Sequence, residues 1–331
     1  MATLKQIAEK TNTSITTVSR VLNYDKTLSV TDDIRMKILE EAKKMKYKTP
    51  RNRTKIKSSK KLVIGMVYWY TIQNEKDDPY YIQIRRGIEK LAIHSGIDTV
   101  VIYKDKDTFD FKNIPKLDGL ICIGKFSTAQ IELFNKVTTK IVFVDSAPNV
   151  NLHDSIVIDF DKAVKELLKE MIKEGYTKIG YLGGTEYVSK YVKIGENREL
   201  TFREFLFNRN KLNTKYIHIG SFTTESGYEM MQEALSKNDY AEAYFCANDS
   251  IAFGAMRAIH ESGLKIPDDI AIVGFNDNPN SKYSYPTLST VRVETEFMGE
   301  QALISLCEQI DGRMIPIQKV IPTELVKRNS F

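Results

Sequence analysis

From Leu62 onward, short apolar runs alternate with segments whose apolar residues recur at helical spacing. Leu62-Val63-Ile64-Gly65-Met66-Val67 reads as a buried strand. Ile84, Ile88, Leu91 and Ala92 then mark one helix face, ended by Gly96. Strand-like runs follow at Thr99–Tyr103, Gly119–Ile123, Ile141–Val144 and Ile156–Ile158. A second series has strands at Lys178–Leu182, Tyr216–Ile219, Ala243–Cys246 and Ile270–Gly274, with helices near 160–174, 198–210, 225–236 and 249–262. Apolar strands alternating with helices imply α/β architecture, with parallel sheets covered on both faces. Two such lobes are expected, with ligands bound beyond the carboxyl ends of the strands.

The first 47 residues have a different rhythm. Thr3 and Gln6 fit a capping box at the start of a short helix with Leu4, Ile7 and Ala8 on its apolar face. Thr11-Asn12-Thr13 breaks it, and Ser14 is placed to cap a second helix from Ile15 to about Asn23, faced by Val18, Val21 and Leu22. A third can start at Thr31, with Ile34, Ile38, Leu39, Ala42 and Met45 in phase. Three short helices with a tight turn between the first two form a helix-turn-helix unit. An ordinary three-helix bundle with a polar face fits the same periodicity.

Charge separates the two. Residues 1–61 hold 16 Lys and Arg against 6 Asp and Glu, a net of +10, and the other 270 residues hold 32 against 37. A basic head on an acidic body points to nucleic-acid binding by the head. In that geometry Ile15, Thr16 and Thr17 reach base edges, Arg20 is placed for a guanine, and Ser14, Thr17, Ser19 and Asn23 suit phosphates. Residues 48–61, KTPRNRTKIKSSKK, form a basic hinge with seven cations, Arg51 and Arg53 among them, and Pro50 prevents a continuous helix from the head.

At 331 residues the chain needs two or three domains. No apolar stretch reaches the ~18 residues of a membrane span, and the polar start Met1-Ala2-Thr3-Leu4-Lys5-Gln6 lacks a signal-peptide core, so a cytoplasmic protein is expected. Cys122, Cys246 and Cys307 are far apart in apolar runs and suggest neither disulfides nor zinc. Gly183-Gly184 lacks the ending of a phosphate loop, and His94, His153, His218 and His260 have no ligand spacing or paired nucleophile. No enzyme chemistry, metal or cofactor is expected.

Polar residues just past the strand ends should face the cleft: Lys125, Asp145, Asn248 and Asp277, with Arg198 opening a helix. Trp69, the single tryptophan, ends the first strand within Tyr68-Trp69-Tyr70 and is expected as a stacking platform.

The string Leu4-Lys5-Gln6-Ile7-Ala8 through Thr16-Thr17-Val18-Ser19-Arg20-Val21-Leu22-Asn23 resembles the head of the LacI/GalR family of bacterial transcription regulators. The spacing to Ala42 and Tyr47 matches, and the resemblance runs to Pro322-Thr323-Glu324-Leu325-Val326. It implies a three-helix head (1–47), the hinge (48–61), and a body like periplasmic sugar-binding proteins. The chain would cross between lobes near 160, 290 and 322, giving an N-terminal lobe of 62–160 and 291–322 and a C-terminal lobe of 161–290 with a return segment, 323–331. It also implies a homodimer on double-stranded operator DNA and a small sugar effector contacting the positions of Asp145, Arg198, Asn248 and Asp277. In the family a hinge leucine wedges a base step, where this chain has Ile56 after Arg53-Thr54-Lys55. Tyr68-Trp69-Tyr70 and Asp78-Pro79-Tyr80-Tyr81 look most like the galactose-operon and evolved-β-galactosidase branch, which implies galactose or a β-galactoside. A catabolite-control regulator with a phosphoprotein corepressor is the alternative. No leucine-zipper heptad follows Thr323–Phe331, which favours a dimer over a tetramer.

Overall fold

The structure, a computed structural model, describes residues 3–22, 30–45, 61–71, 78–105, 108–189 and 192–331. Asn23, Arg51, Arg53 and Ile56, and all of the expected hinge except Lys61, lie outside the described residues. The chain divides into two compact units, 1–59 and 60–331.

In the first unit, α1 (Leu4–Thr11) opens with the capping box: the Gln6 amide donates to Thr3 Oγ1 at 3.3 Å, and the Thr3 amide to Gln6 Oε1 at 2.9 Å. It ends at Asn12, whose φ of 52° is left-handed, a conformation asparagine tolerates. Ser14 Oγ then accepts from the Thr17 amide at 3.0 Å and starts α2 (Ile15–Leu22). With α3 (Asp32–Lys44), these helices bury Ile7, Ala8, Val18, Val21, Ile38 and Ala42. Ile34, expected on that face, is instead 37% exposed, because it lies at the margin of the stripe centred on Ile38 and Ala42.

The second unit runs β1 (Val63–Tyr68), α4 (Tyr80–Ser95), β2 (Asp98–Tyr103), β3 (Gly119–Ile123), α5 (Thr128–Val137), β4 (Ile141–Val144) and β5 (Asp154–Ile158). It continues with α6 (Phe160–Lys173), β6 (Ile179–Gly184), β7 (Glu186–Ser189), β8 (Val192–Ile194), α7 (Asn197–Phe207), β9 (Ile217–Gly220) and α8 (Thr224–Ser236). The rest is β10 (Ala243–Cys246), α9 (Asp249–Glu261), β11 (Ala271–Asn276), β12 (Ser289–Val293), α10 (Thr295–Ile310), β13 (Gln318–Ile321) and β14 (Thr323–Val326).

Two six-stranded sheets result, ordered β13-β5-β4-β3-β1-β2 and β14-β12-β11-β10-β6-β9. All neighbours are parallel except β12 and β14. Helices cover both faces, so β3, β4 and β10 are buried along their whole length. The chain crosses between lobes after β5, after β12 and after β13. The second crossing falls at Glu294, a few residues past the expected 290, because β12 pairs with β11 and β14 and so belongs to the C-terminal sheet.

Glycines let the covering helices touch backbone to backbone. A Cβ on Gly254 of α9 would lie 1.9 Å from the Thr224 carbonyl oxygen at the start of α8, and one on Gly299 of α10 would lie 2.0 Å from that of Ile84 in α4. Overpacking that must move backbone costs about 1–3 kcal/mol or more. Gly254→Ala should therefore lower the thermal midpoint by several degrees, measured by differential scanning calorimetry. An unchanged midpoint would mean that the helices separate freely there.

Candidate functional site

The carboxyl ends of both sheets meet across a cleft. On the N-terminal side, β1 delivers Trp69 and Tyr70, α4 begins with Tyr80 and Tyr81, and β4 is followed by Asp145, whose φ is 66°. Asp145 accepts from the Tyr80 hydroxyl at 3.0 Å and the Tyr81 hydroxyl at 2.7 Å. Burial and the Asp145 charge push both phenols well above their ordinary value, so they remain donors.

On the C-terminal side, Arg198 at the start of α7 is 7% exposed. Its Nε donates to Glu196 at 2.6 Å and its Nη1 to the Ala247 carbonyl at 2.6 Å. Its guanidinium lies 5.2–5.4 Å from the ring centres of Phe160, Phe222 and Phe275, a cation held among aromatic faces. Burial works against the Glu196 carboxylate, but Arg198, with the Tyr181 hydroxyl and the Glu199 amide, holds Glu196 below its ordinary value.

Two contacts join the lobes at this place. Asn248 Nδ2 donates to Asp78 Oδ2 at 2.8 Å and to the Phe222 carbonyl at 3.2 Å. Burial raises the Asp78 carboxyl despite that donor. The Lys125 ammonium is hydrogen-bonded to Glu186 on β7 and lies 5.8 Å from the Trp69 ring centre.

Five of the six expected effector residues therefore converge: Trp69, Lys125, Asp145, Arg198 and Asn248. The sixth, Asp277, is ion-paired, one carboxylate oxygen on Arg292 and the other on Arg328, each at 2.7 Å, and its amide donates to Thr290 Oγ1, a partner of Asp249. Those partners are remote in sequence, and each Asp277 oxygen keeps capacity for a further donor. Trp69, expected as a stacking platform, is 8% exposed, with Tyr70 at 5.3 Å, Tyr81 edge-on at 5.9 Å and the Lys125 ammonium at 5.8 Å. Phe222 and Glu186 were missed. Phe222 stands two residues beyond β9, so the strand-end rule applied there would have found it. Among the described residues no group of three His, Cys, Asp or Glu side chains is arranged to hold a metal.

In the head, Ser14, Ile15 and Thr16 are exposed, and Thr17, Ser19 and Arg20 are half-buried. Ile15 is 48% exposed although the helical core is complete without it, which leaves an apolar side chain at the tip of α2.

A helix-turn-helix head with a two-lobed, ligand-cleft body defines the class: DNA-binding regulators with a periplasmic-binding-protein-like sensor. The bacterial regulatory protein profile of the lacI family matches residues 3–50, and a periplasmic binding protein-like profile matches 168–331. The chain is 38% identical over 336 residues to the HTH-type transcriptional regulator GalR of Streptococcus thermophilus, covering 100% of this chain and 99% of the relative. It is 32% identical to the HTH-type transcriptional repressor MelR of Bacillus subtilis (strain 168), covering 100% and 97%. The fold matches a transcriptional regulator CelR–cellobiose complex with a TM-score of 0.68, 22% identity and full coverage of both chains. A lac repressor dimer bound to operator and the anti-inducer ONPF matches with 0.68, 23% identity and coverage of 99% and 98%. The chain belongs to the lacI family of bacterial regulatory proteins and is a DNA-binding transcriptional regulator. Among the described residues no helix is long and apolar enough to cross a membrane.

Next to Asn248, Asp249 is 1% exposed and ties three segments together. It accepts from the Asn278 amide at 2.5 Å, the Ser281 hydroxyl at 3.0 Å and the Thr290 hydroxyl at 2.6 Å. Burial outweighs these donors and pushes its carboxyl up to about 7. Folding therefore favours the protonated form. Its contribution is complete below the unfolded value of ~3.9 and is lost as pH rises through about 7. Asp249→Asn, an isosteric neutral replacement, should flatten the fall in urea stability between pH 4 and about 7. An equal fall in wild type and variant would assign that pH dependence to other groups.

Proposed function

We propose that the chain is a repressor of sugar-utilisation genes that grips a palindromic operator as a homodimer and lets go when a small sugar occupies the cleft. Galactose or a β-galactoside is the effector read from the residues. The observation that carries this reading is the convergence of Lys125, Asp145, Arg198 and Asn248 with aromatic rings at the carboxyl ends of two facing sheets. Carboxylate, amide and cationic groups bridge vicinal hydroxyls, and aromatic faces cover the C–H surface of a pyranose. The names of the relatives support it, since the regulators of Streptococcus thermophilus and Lacticaseibacillus casei are both called GalR. Tyr283 and Tyr285, 77% and 89% exposed, stand on the segment that Asp249 anchors and suit the face of a homodimer. The reading places the protein in the cytoplasm with its DNA, gives it no catalytic role, and assigns the head residues Ser14, Ile15, Thr16, Thr17, Ser19 and Arg20 to the operator.

Arg20→Ala should weaken operator binding by ~1–3 kcal/mol and relax preference at one base pair per half-site. Fluorescence anisotropy on an operator panel measures both. A uniform loss on every sequence would make Arg20 a phosphate contact.

The effector is tested through the single tryptophan. With Trp69 against Lys125 and Tyr70, galactose entering the cleft should change tryptophan emission saturably, and operator should dissociate over the same concentration range. Release without any emission change would place the sugar elsewhere. Tightening of operator by galactose would replace the inducer with a corepressor.

A further inference from the structure

We propose that Glu186 is a specificity-determining residue of the cleft, a carboxylate that reads sugar hydroxyls together with Lys125. This rests on the sugar-effector reading above. The residue comes from an element that belongs to neither large sheet. After β6 the chain makes a separate antiparallel pair, β7 and β8, in which Glu186 faces Ile194 and Tyr187 faces Lys193. Side chains on a strand alternate between its faces. Accordingly Glu186 and Val188 are buried at 8% and 7%, while Tyr187 between them is 48% exposed. The inward face of β7 is seated on the other lobe, because Lys104 Nζ donates to the Val188 carbonyl at 2.9 Å. The pair thus reaches from the C-terminal lobe to the N-terminal one and places a carboxylate where both lobes meet.

The surroundings of that carboxylate are those of the cleft. Lys125 bonds to it, Arg198 attracts it, and its charge acts on the phenols of Tyr70 and Tyr81. Burial nonetheless raises the Glu186 carboxyl, so removing it from water costs more than its cations return in this state. A purely structural tie between lobes would be better made of apolar groups. A carboxylate beside an ammonium is instead suited to reading a diol, since it accepts from one hydroxyl while the ammonium donates to its neighbour. Such charge-assisted bonds are about twice as strong as neutral ones and are directional.

The test is isothermal titration of the full-length protein with galactose and its 2-, 3-, 4- and 6-deoxy derivatives. Glu186→Gln keeps the shape of the side chain and removes its charge. Galactose affinity should fall about tenfold or more, and the loss caused by deleting one particular hydroxyl in wild type should largely vanish in the variant. Lys104→Met serves as the control, since it loosens the seat of β7 without touching Glu186, and it should weaken all five sugars by one factor. If Glu186→Gln leaves galactose affinity intact, or weakens all five sugars equally as Lys104→Met does, Glu186 only holds the lobes together and this assignment is overturned alone. If the wild-type protein ignores galactose and β-galactosides altogether, the galactoside reading falls, and this assignment with it.

Discussion

Asn248 spends its whole amide at the meeting point of the two lobes. Nδ2 donates to Asp78 of the N-terminal lobe and to the Phe222 carbonyl, and Oδ1 accepts from the Ile251 amide to start α9. The side chain is 1% exposed, so none of these bonds can be exchanged for water in this arrangement. Losing one would leave a buried polar group unpaired, at ~1–3 kcal/mol. The direction of α9, the position of Phe222 and one tie between the lobes therefore depend on one residue.

The other charges of the cleft obey the same constraint. Arg198 is removed from water and stays charged because Glu196 and the Ala247 carbonyl take its donors while Phe160, Phe222 and Phe275 surround its plane. Asp145 takes both tyrosine hydroxyls and orients the aromatic wall on the opposite side. Most charges of the cleft are thus paired within their own lobe, while Asn248 to Asp78, Lys125 to Glu186 and Lys104 to the Val188 carbonyl reach across.

Much of this was legible in the sequence because the signals are local. The capping box, the phase of Ile7, Val18 and Ile38, and the apolar strands each depend on neighbours within a few residues. The rule that polar groups beyond strand ends face the cleft found Asp145, Arg198 and Asn248 correctly as neighbours. It did not foresee the ion pairs of Asp277, since nothing near that residue announces Arg292 or Arg328, 15 and 51 positions away. It also did not show how Trp69 is covered, because the ring of Tyr81 arrives from α4 and only tertiary packing brings it there. β7 and β8 were invisible for another reason: Glu-Tyr-Val-Ser and Val-Lys-Ile are short and half polar, and their pairing is set by the other lobe as much as by their own pattern. α10 escaped notice because its buried face includes Thr295, Gly299, Ser305 and Gln309, small or polar residues that weaken the apolar period.

The adjacency of Asn248 and Asp249 gives the cleft a mechanical route to the surface. One side chain reaches forward to the other lobe, and the next reaches back to hold Asn278, Ser281 and Thr290. Ser281 in turn precedes the exposed Tyr283 and Tyr285, and its amide closes a turn on the Asn278 carbonyl at 2.8 Å. Gly274 leaves the space for this, since a Cβ there would lie 2.1 Å from Asp249 Oδ1. A shift of the first turn of α9 cannot then be absorbed locally, because close-packed interiors transmit displacement. It must either break Asp249 from its three donors or carry the tyrosine segment with it. Coupling between sites requires an element that both sites bias. The start of α9 has the position such an element needs, held from the cleft through Asn248 and from the tyrosine-bearing segment through Asp249.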